Sequence, residues 1–264
     1  MRPAFRFPCY TKLNIVLGEL DACAECQEIA VRDFVEKCKD AADPAAVIQE
    51  RSRHYGIKVD VVDLARFARR NTELQLVSVS QAFEGFLDDF IAEHPRLGFR
   101  PERKKGVLLL DAVVDKVAPL RDAKALRASV EYQVYNYYRG LRNEVAHVVD
   151  RDTEKLTATL TNLKKDCTAS PEYARLDAPH SFQELTFDDF VLFTRTAKRL
   201  ASLLCDAGAL NDDEVLDWAS THLPTKGTPE RKANALRARL RIAFNLAKDR
   251  SDAMIERILP LAGQ

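Results

Sequence analysis

The stretch that decides the fold class is LVSVSQAFEGFLDDF, residues 76–90. Its apolar residues recur at steps of three and four, which is the spacing of one face of an α-helix. They are Leu76, Val79, Phe83, Phe86, Leu87 and Phe90. Because this stripe must be covered, we predict a helix that begins at Asn71 or Thr72, ends before Pro95 and packs against other helices.

The composition of the whole chain favours the same fold class. The 264 residues are 46% apolar and include only 9 Gly and 11 Pro, so they can close a sizeable core made mostly of helices. We therefore predict an all-α protein. Forty basic residues balance forty acidic residues, which leaves no net charge to attract nucleic acid or an anionic membrane. No stretch approaches the ~18 uncharged apolar residues of a membrane span, and the apolar run near the N-terminus is too short for a signal peptide. We expect a cytoplasmic protein that does not contact a membrane.

Capping residues divide the rest of the chain into further elements. Asp43 and Pro44 predict one helix start, and Asp60 predicts another. Thr186, which is followed by acidic residues, predicts a third start. Residues 150–185 show no sustained amphipathic pattern and are predicted to form a connecting segment. After an extended arm, we predict helices over about residues 12–40, 44–55, 61–70, 71–94, 107–118, 122–148, 186–208, 211–218 and 230–248, and a last helix that ends near residue 261.

Six cysteines without a secretion signal favour free thiols over disulfides. Cys23 and Cys26 form a Cys-x-x-Cys pair, but no second pair stands at the spacing of a zinc ribbon. Because both residues fall in a helical pattern, we expect them to pack in the core rather than to bind a metal.

The most informative stretch for function is YNYYRGLRNEVAH, residues 135–147. On a helix, Arg139, Asn143 and His147 follow one another at intervals of four residues along one face, with Arg142 beside them. The predicted helix ends close to His147, where the helix dipole favours a protonated imidazole. A permanent cation, an amide and a titrating imidazole are the groups that cleavage of RNA without a metal requires. Since one helix supplies one imidazole, two copies in a two-fold dimer would provide both a general base and a general acid.

This pattern resembles the mark of the HEPN superfamily, in which an Arg, a polar residue and a His lie near the end of a long helix. Two further stretches are similar to HEPN domains: an earlier amphipathic helix with QAFEGFLDDF at residues 81–90, and a last helix that opens with TFDDF at residues 186–190. The similarity covers about residues 70–207. We therefore predict a HEPN-like helical bundle over that range, with accessory helices over 1–69 and 208–264.

The resemblance implies an endoribonuclease that works as a homodimer without metal or cofactor, of the kind found in toxin modules and phage defence. Arg142, Asn143 and His147 match the motif and would be the catalytic residues. An RNA substrate is implied, and an antitoxin or regulatory partner protein is a further expectation. The chain departs from many members at Val148, where they place Gly directly after the His.

Residues around the motif are candidates for supporting roles. Arg139 could flank the same anion as Arg142. Glu84 and Asp88 lie one turn apart on the earlier helix and could orient His147 or an arginine, although they are equally well explained as solvated acids.

Aromatic and basic residues are candidates for contacts with RNA. Tyr135 and Tyr138 could stack unpaired bases of the substrate, but we favour packing in the core or at a dimer interface. The basic helix over residues 230–248 could contact phosphates or form an ordinary salt-bridged surface.

Two other classes of function remain open. The chain could be a non-catalytic helical module that binds a nucleotide or a partner, in which the same Arg and His hold the dimer. A nucleic-acid-binding regulator is suggested by the two helices that meet at Gly56, although such a junction is generic. Cleavage of RNA in EDTA that is lost in His147→Ala would favour the enzyme.

Overall fold

A computed structural model describes residues 5–60, 63–97, 108–146 and 153–259. Within these ranges the chain forms eleven α-helices and one short 3-10 helix, and it contains no strand. The predicted all-α fold class is therefore confirmed. None of the described helices combines the length and the apolarity that crossing a bilayer requires.

The helices follow the chain in a simple order. They are α1 (Pro8–Asp40), α2 (Pro44–Tyr55), α3 (Leu64–Glu93), α4 (Leu109–Val117), α5 (Leu120–Ala128), α6 (Val130–Ala146), α7 (Thr153–Ala169), α8 (Phe187–Ala207), α9 (Asp212–Thr221), α10 (Pro229–Phe244) and α11 (Lys248–Ile258), with the 3-10 helix Phe182–Glu184 before α8.

Local capping explains the helix ends that were predicted correctly. The Asp43 side chain accepts hydrogen bonds from the backbone N–H groups of Ala45 and Ala46, which starts α2. Gly56 ends the same helix in the left-handed region, with φ +67°. The helix α8 begins directly after Thr186 and ends directly before Gly208, as predicted.

The region around α3 differs from the prediction in two ways. The side chain that caps this helix is Asp63, which accepts from Ala65 and Arg66, so the predicted cap at Asp60 is wrong. The helix then runs without a break through Asn71, where two separate helices were expected. Residues 61–62 lie outside the described residues.

The middle of the chain also differs from the prediction. The single helix expected over 122–148 is two helices, because the backbone is extended at Ser129 (φ −69°, ψ 151°) and its hydroxyl donates to the carbonyl of Leu126. The connecting segment expected over 150–185 contains the seventeen-residue helix α7. Its packing partner is α6, so its formation depends on tertiary contacts that the sequence pattern does not show.

Helix boundaries near the two ends of the chain differ from the prediction. The helix α1 begins at Pro8, inside the stretch that was predicted to be an extended arm. The basic helix over 230–248 ends at Phe244, because Asn245 takes the left-handed conformation with φ +53°.

Contacts divide the chain into two compact units. The first unit contains the described residues within Met1–Ile15, Phe83–Ser129 and Lys198–Gln264, and the second contains those within Val16–Ala82 and Val130–Ala197. Both are assembled from separate stretches of chain. The predicted consecutive division at residues 70 and 207 stays a prediction.

Aromatic side chains form the core of each unit. In the first unit, Phe7 packs edge-on against Phe90 and Phe244, with ring centroids 5.1 and 5.8 Å away. In the second unit, Tyr138 packs on Phe193 at 5.0 Å. Burial of these large apolar rings is the main stabilising contribution to such helical cores.

The six cysteines are free thiols, and four of them are buried. Cys23 and Cys26 are exposed, so the expectation that this pair packs in the core is wrong. Among the described residues, no cluster of three or more His, Cys, Asp and Glu side chains could hold a metal ion.

Candidate active site on helix α6

Helix α6 is a mostly buried helix whose last turns carry Arg142 and Asn143 of the predicted catalytic motif. Val134, Tyr138 and Leu141 are at most 1% exposed and fix this helix in the core of the second unit. Because the apolar side of α6 is packed, the positions of its polar side chains are determined by the same packing.

The two tyrosines proposed to stack bases are part of that core. Tyr135 and Tyr138 are buried, and both rings pack against Phe193. The Tyr138 hydroxyl donates to Asp189 at 2.7 Å, and burial raises its pKa well above the usual value. Their ring faces are therefore covered by protein, which agrees with the packing role that the sequence favoured over base stacking.

The first two residues of the motif lie side by side. Arg142 and Asn143 are half-buried on the last described turns of α6. The Arg142 Nη1 donates to the Asn143 Oδ1 at 3.2 Å. Since this bond uses the oxygen of the amide, the NH2 group of Asn143 keeps its capacity to donate to another group. His147 and Val148 lie outside the described residues.

Three polar atoms of α6 are sealed from solvent without a hydrogen-bond partner. They are Asn136 Oδ1, Arg139 Nε and Glu144 Oε2. At 100° per residue, Asn136, Arg139 and Asn143 fall within an arc of roughly 60° on one side of the helix, whereas Glu144 lies roughly 80° from Asn136 in the other direction. The polar side of α6 therefore carries two of the three unmet atoms, those of Asn136 and Arg139.

Helix α7 approaches α6 closely at a glycine. A Cβ atom added to Gly140 would come within 2.7 Å of the Leu156 Cδ2 atom. A larger residue at this position would therefore force the Leu156 side chain to move.

A second imidazole in the same unit was missed by the sequence analysis. His180 Nδ1 lies 2.9 Å from an oxygen of Asp189, a carboxylate with no solvent exposure. The same carboxylate accepts from the His180 backbone N–H, the Thr186 backbone N–H and the Tyr138 hydroxyl, each at 2.7–2.8 Å. The hydrogen bond to Asp189 raises the pKa of His180 from its usual value of 6.5.

This cluster connects α6 to the segment before α8. The Tyr137 hydroxyl donates to the His180 carbonyl at 2.5 Å, so two neighbouring tyrosines of α6 hold the same loop. The arrangement positions α6, and the other ring nitrogen of His180, Nε2, lies 3.6 Å from the Asp177 carboxylate. The only sequence signal was Asp189 in the first turn of a capped helix.

The supporting acids belong to the other compact unit. Glu84 and Asp88 lie on the part of α3 that falls in the first unit, whereas Arg139, Arg142 and Asn143 lie in the second. The predicted role of these acids in orienting the motif stays a prediction.

One arginine of the basic helix considered for phosphate contacts is engaged in a pair. In α10, Arg237 binds Asp252 at 2.6 Å. For this arginine the structure favours the salt-bridged interpretation. Arginines of α3 are paired as well, since Arg69 and Arg70 both contact Glu73, whose side chain is 3% exposed.

No family model, curated protein or solved structure matches the chain at a significant level.

Proposed function

We propose that this chain is an endoribonuclease of the HEPN type, which cleaves RNA without a metal or cofactor as a homodimer. Arg142, Asn143 and His147 are the proposed catalytic residues. The observation that carries the proposal is the contact between Arg142 and Asn143 near the end of a helix whose apolar side is packed in the core. The expected HEPN-like bundle over residues 70–207 belongs to the same proposal.

Each of the three residues has a chemical role in attack by the ribose 2′-hydroxyl. His147 would take the proton from the 2′-oxygen in one copy and give a proton to the departing 5′-oxygen in the other. Arg142 would neutralise the charge that develops on the phosphorane. The NH2 group of Asn143 would orient a phosphate oxygen, and Arg139 would add positive charge on the same face.

The dimer follows from the number of acid–base groups on each chain. The motif contains one histidine, and this reaction needs both a base and an acid. A two-fold arrangement would present the same polar face from each copy, because the contacts of such a dimer are self-complementary.

The biological setting that fits this activity is a toxin or a phage-defence effector. An enzyme that cuts cellular RNA must be restrained, which is why an antitoxin or a regulatory partner protein belongs to the proposal.

The test is cleavage of total RNA and tRNA by the purified protein in EDTA, with the cut ends mapped. We expect cleavage that leaves 2′,3′-cyclic phosphate and 5′-hydroxyl ends, since the 2′-oxygen is the nucleophile. His147→Ala should abolish cleavage while light scattering still shows a dimer, and Arg142→Ala should do the same. His54→Ala is a matched control, because His54 is exposed on α2, and it should cut normally.

Two results would contradict the proposal. Full activity in His147→Ala would remove the site. RNA binding or partner binding without any cleavage would instead establish the non-catalytic module.

A further inference from the structure

An apolar groove in the second unit lies between α1 and α2. Each helix lines it with residues at positions i, i+3, i+4 and i+7, which form one face of an α-helix. This face covers residues 30–37 of α1 and residues 48–55 of α2. Ile57, Val59 and Phe67 complete the walls, and the volume of the groove is about 760 Å³.

The helix α2 is poorly covered by the described part of the chain. It lies wholly within the described residues, and none of its twelve residues is buried. A helix of this length is marginal in water unless its apolar face packs. Large apolar side chains at the groove are exposed as well, since Tyr55 is 64%, Ile57 63% and Phe67 39% accessible to solvent. A cluster of exposed apolar side chains marks a binding surface, so we expect an occupant with an apolar body.

The polar groups of the groove include one cation that is not neutralised. Asp33 and Lys37 bind each other at 2.6 Å. The Ser52 hydroxyl donates to the carbonyl of Ile57. Arg51 is the remaining charged residue of the lining, and no acidic side chain among the described residues pairs with it. The groove therefore offers one positive charge beside an apolar surface.

The size and lining of the groove favour a small molecule over a partner protein. Pockets for small molecules have volumes of about 300–1,000 Å³ and are lined mainly by apolar and aromatic side chains with few polar groups. The rings of Phe34 and Phe67, which lie edge-on with their centroids 6.2 Å apart, belong to this lining. Each helical wall is only about 10 Å long. A stable protein interface needs about 800 Å² on each partner, which is more than such short walls supply.

We propose that this groove binds a small amphiphile with an apolar body and a single carboxylate, such as a medium-chain fatty acid. The apolar body would lie between α1 and α2, and Arg51 would hold the carboxylate. A guanidinium forms two parallel hydrogen bonds with a carboxylate. One cation balances one negative charge, whereas a phosphate monoester carries about two. The inference rests on the groove alone and holds whether or not the chain cuts RNA.

Calorimetric titration of the full chain would measure the binding of sodium octanoate, sodium decanoate and 1-decanol, each below the concentration at which it aggregates. Decanoate should bind about tenfold more tightly than octanoate, because each buried CH2 group raises the affinity about three- to fourfold. The neutral 1-decanol should bind about fivefold more weakly than decanoate, because it lacks the charge that pairs with Arg51. No binding of decanoate, or equal affinities for octanoate and decanoate, would overturn the inference.

A substitution at the rim tests the role of the cation. Arg51→Gln should lower the affinity for decanoate about fivefold and leave the affinity for 1-decanol unchanged. Arg53→Gln is the matched control, because Arg53 is exposed on the same helix but does not line the groove, and it should bind both ligands as wild type does. If the two variants lost equal affinity for decanoate, Arg51 would not hold the carboxylate.

A substitution that fills the groove tests the place of binding. Ala30→Trp should abolish binding of both ligands, because Ala30 is exposed on α1 and lines the groove. Ala22→Trp is the matched control, since Ala22 is exposed on the same helix away from the groove, and it should bind both ligands. Circular dichroism would check that both variants stay folded. Decanoate binding that survives in Ala30→Trp would refute the site. A wild-type dimer that becomes a monomer in Ala30→Trp would assign the groove to a second copy and refute it equally.

Discussion

Replacing Asp189 by alanine should cost more stability than any other single loss of a carboxylate on α8. The Asp189 side chain has no solvent exposure and accepts hydrogen bonds from His180, Thr186 and Tyr138. Without it, the backbone N–H groups of His180 and Thr186 and the fully buried Tyr138 hydroxyl lose their acceptor. A buried donor left unmet costs about 1–3 kcal/mol, so the free energy of unfolding should fall by about 3–5 kcal/mol.

The neighbouring residue provides the control for this prediction. The Asp188 carboxylate accepts one hydrogen bond, from the backbone N–H of Asp177 at 2.8 Å, and lies in the same first turn of α8. Asp188→Ala should therefore lower the free energy of unfolding by only about 1 kcal/mol. Urea titrations followed by circular dichroism would measure both variants. If Asp189→Ala lost no more stability than Asp188→Ala, the buried carboxylate would not hold the loop as described.

Other predictions concern pH, packing and thiol reactivity. Because the bond to Asp189 raises the folded-state pKa of His180 above 6.5, this bond should stabilise the protein fully below pH 6.5, and the stabilisation should be lost as pH rises through the raised pKa. Urea titrations of wild type and His180→Gln across pH 5.5–8.5 would contradict this if their difference in stability grew with pH. Gly140→Ala should gain less stability than Gly18→Ala: alanine favours the helix by about 0.5–1 kcal/mol at both positions, but a Cβ at residue 140 forces the Leu156 side chain to move, whereas one at residue 18 meets no atom within 4 Å. An equal gain in the two variants would refute the close packing of α6 and α7. A thiol reagent at pH 8 should modify the two exposed cysteines quickly and the four buried ones slowly, and a third fast thiol would contradict the burial described.

Helix ends controlled by adjacent residues could be predicted from the sequence. The start of α2 depends on Asp43 and its end on Gly56, so both signals lie next to the structure they determine. The break at Ser129 and the helix α7 could not be predicted in the same way. The apolar pattern continues across Ser129, so no local signal marks the break. Helix α7 is stabilised by its contact with α6, and such a contact is not visible in the local sequence of α7.

The candidate site was likewise predictable only where its residues are neighbours in the sequence. The spacing of Arg142 and Asn143 could be read from the sequence, and the structure places them in contact. The cluster of His180 and Asp189 could not be predicted, because its link to Tyr138 spans 51 residues.

The most direct test of the central proposal is the rate at which the protein cleaves a fluorescent RNA oligonucleotide in EDTA. Loss of a general acid–base group usually lowers such a rate by about 10²–10⁴, so His147→Ala should fall by that factor while His54→Ala keeps the wild-type rate. A wild-type protein that leaves the RNA uncut, or a His147→Ala protein that cuts as fast as wild type, would contradict the proposal.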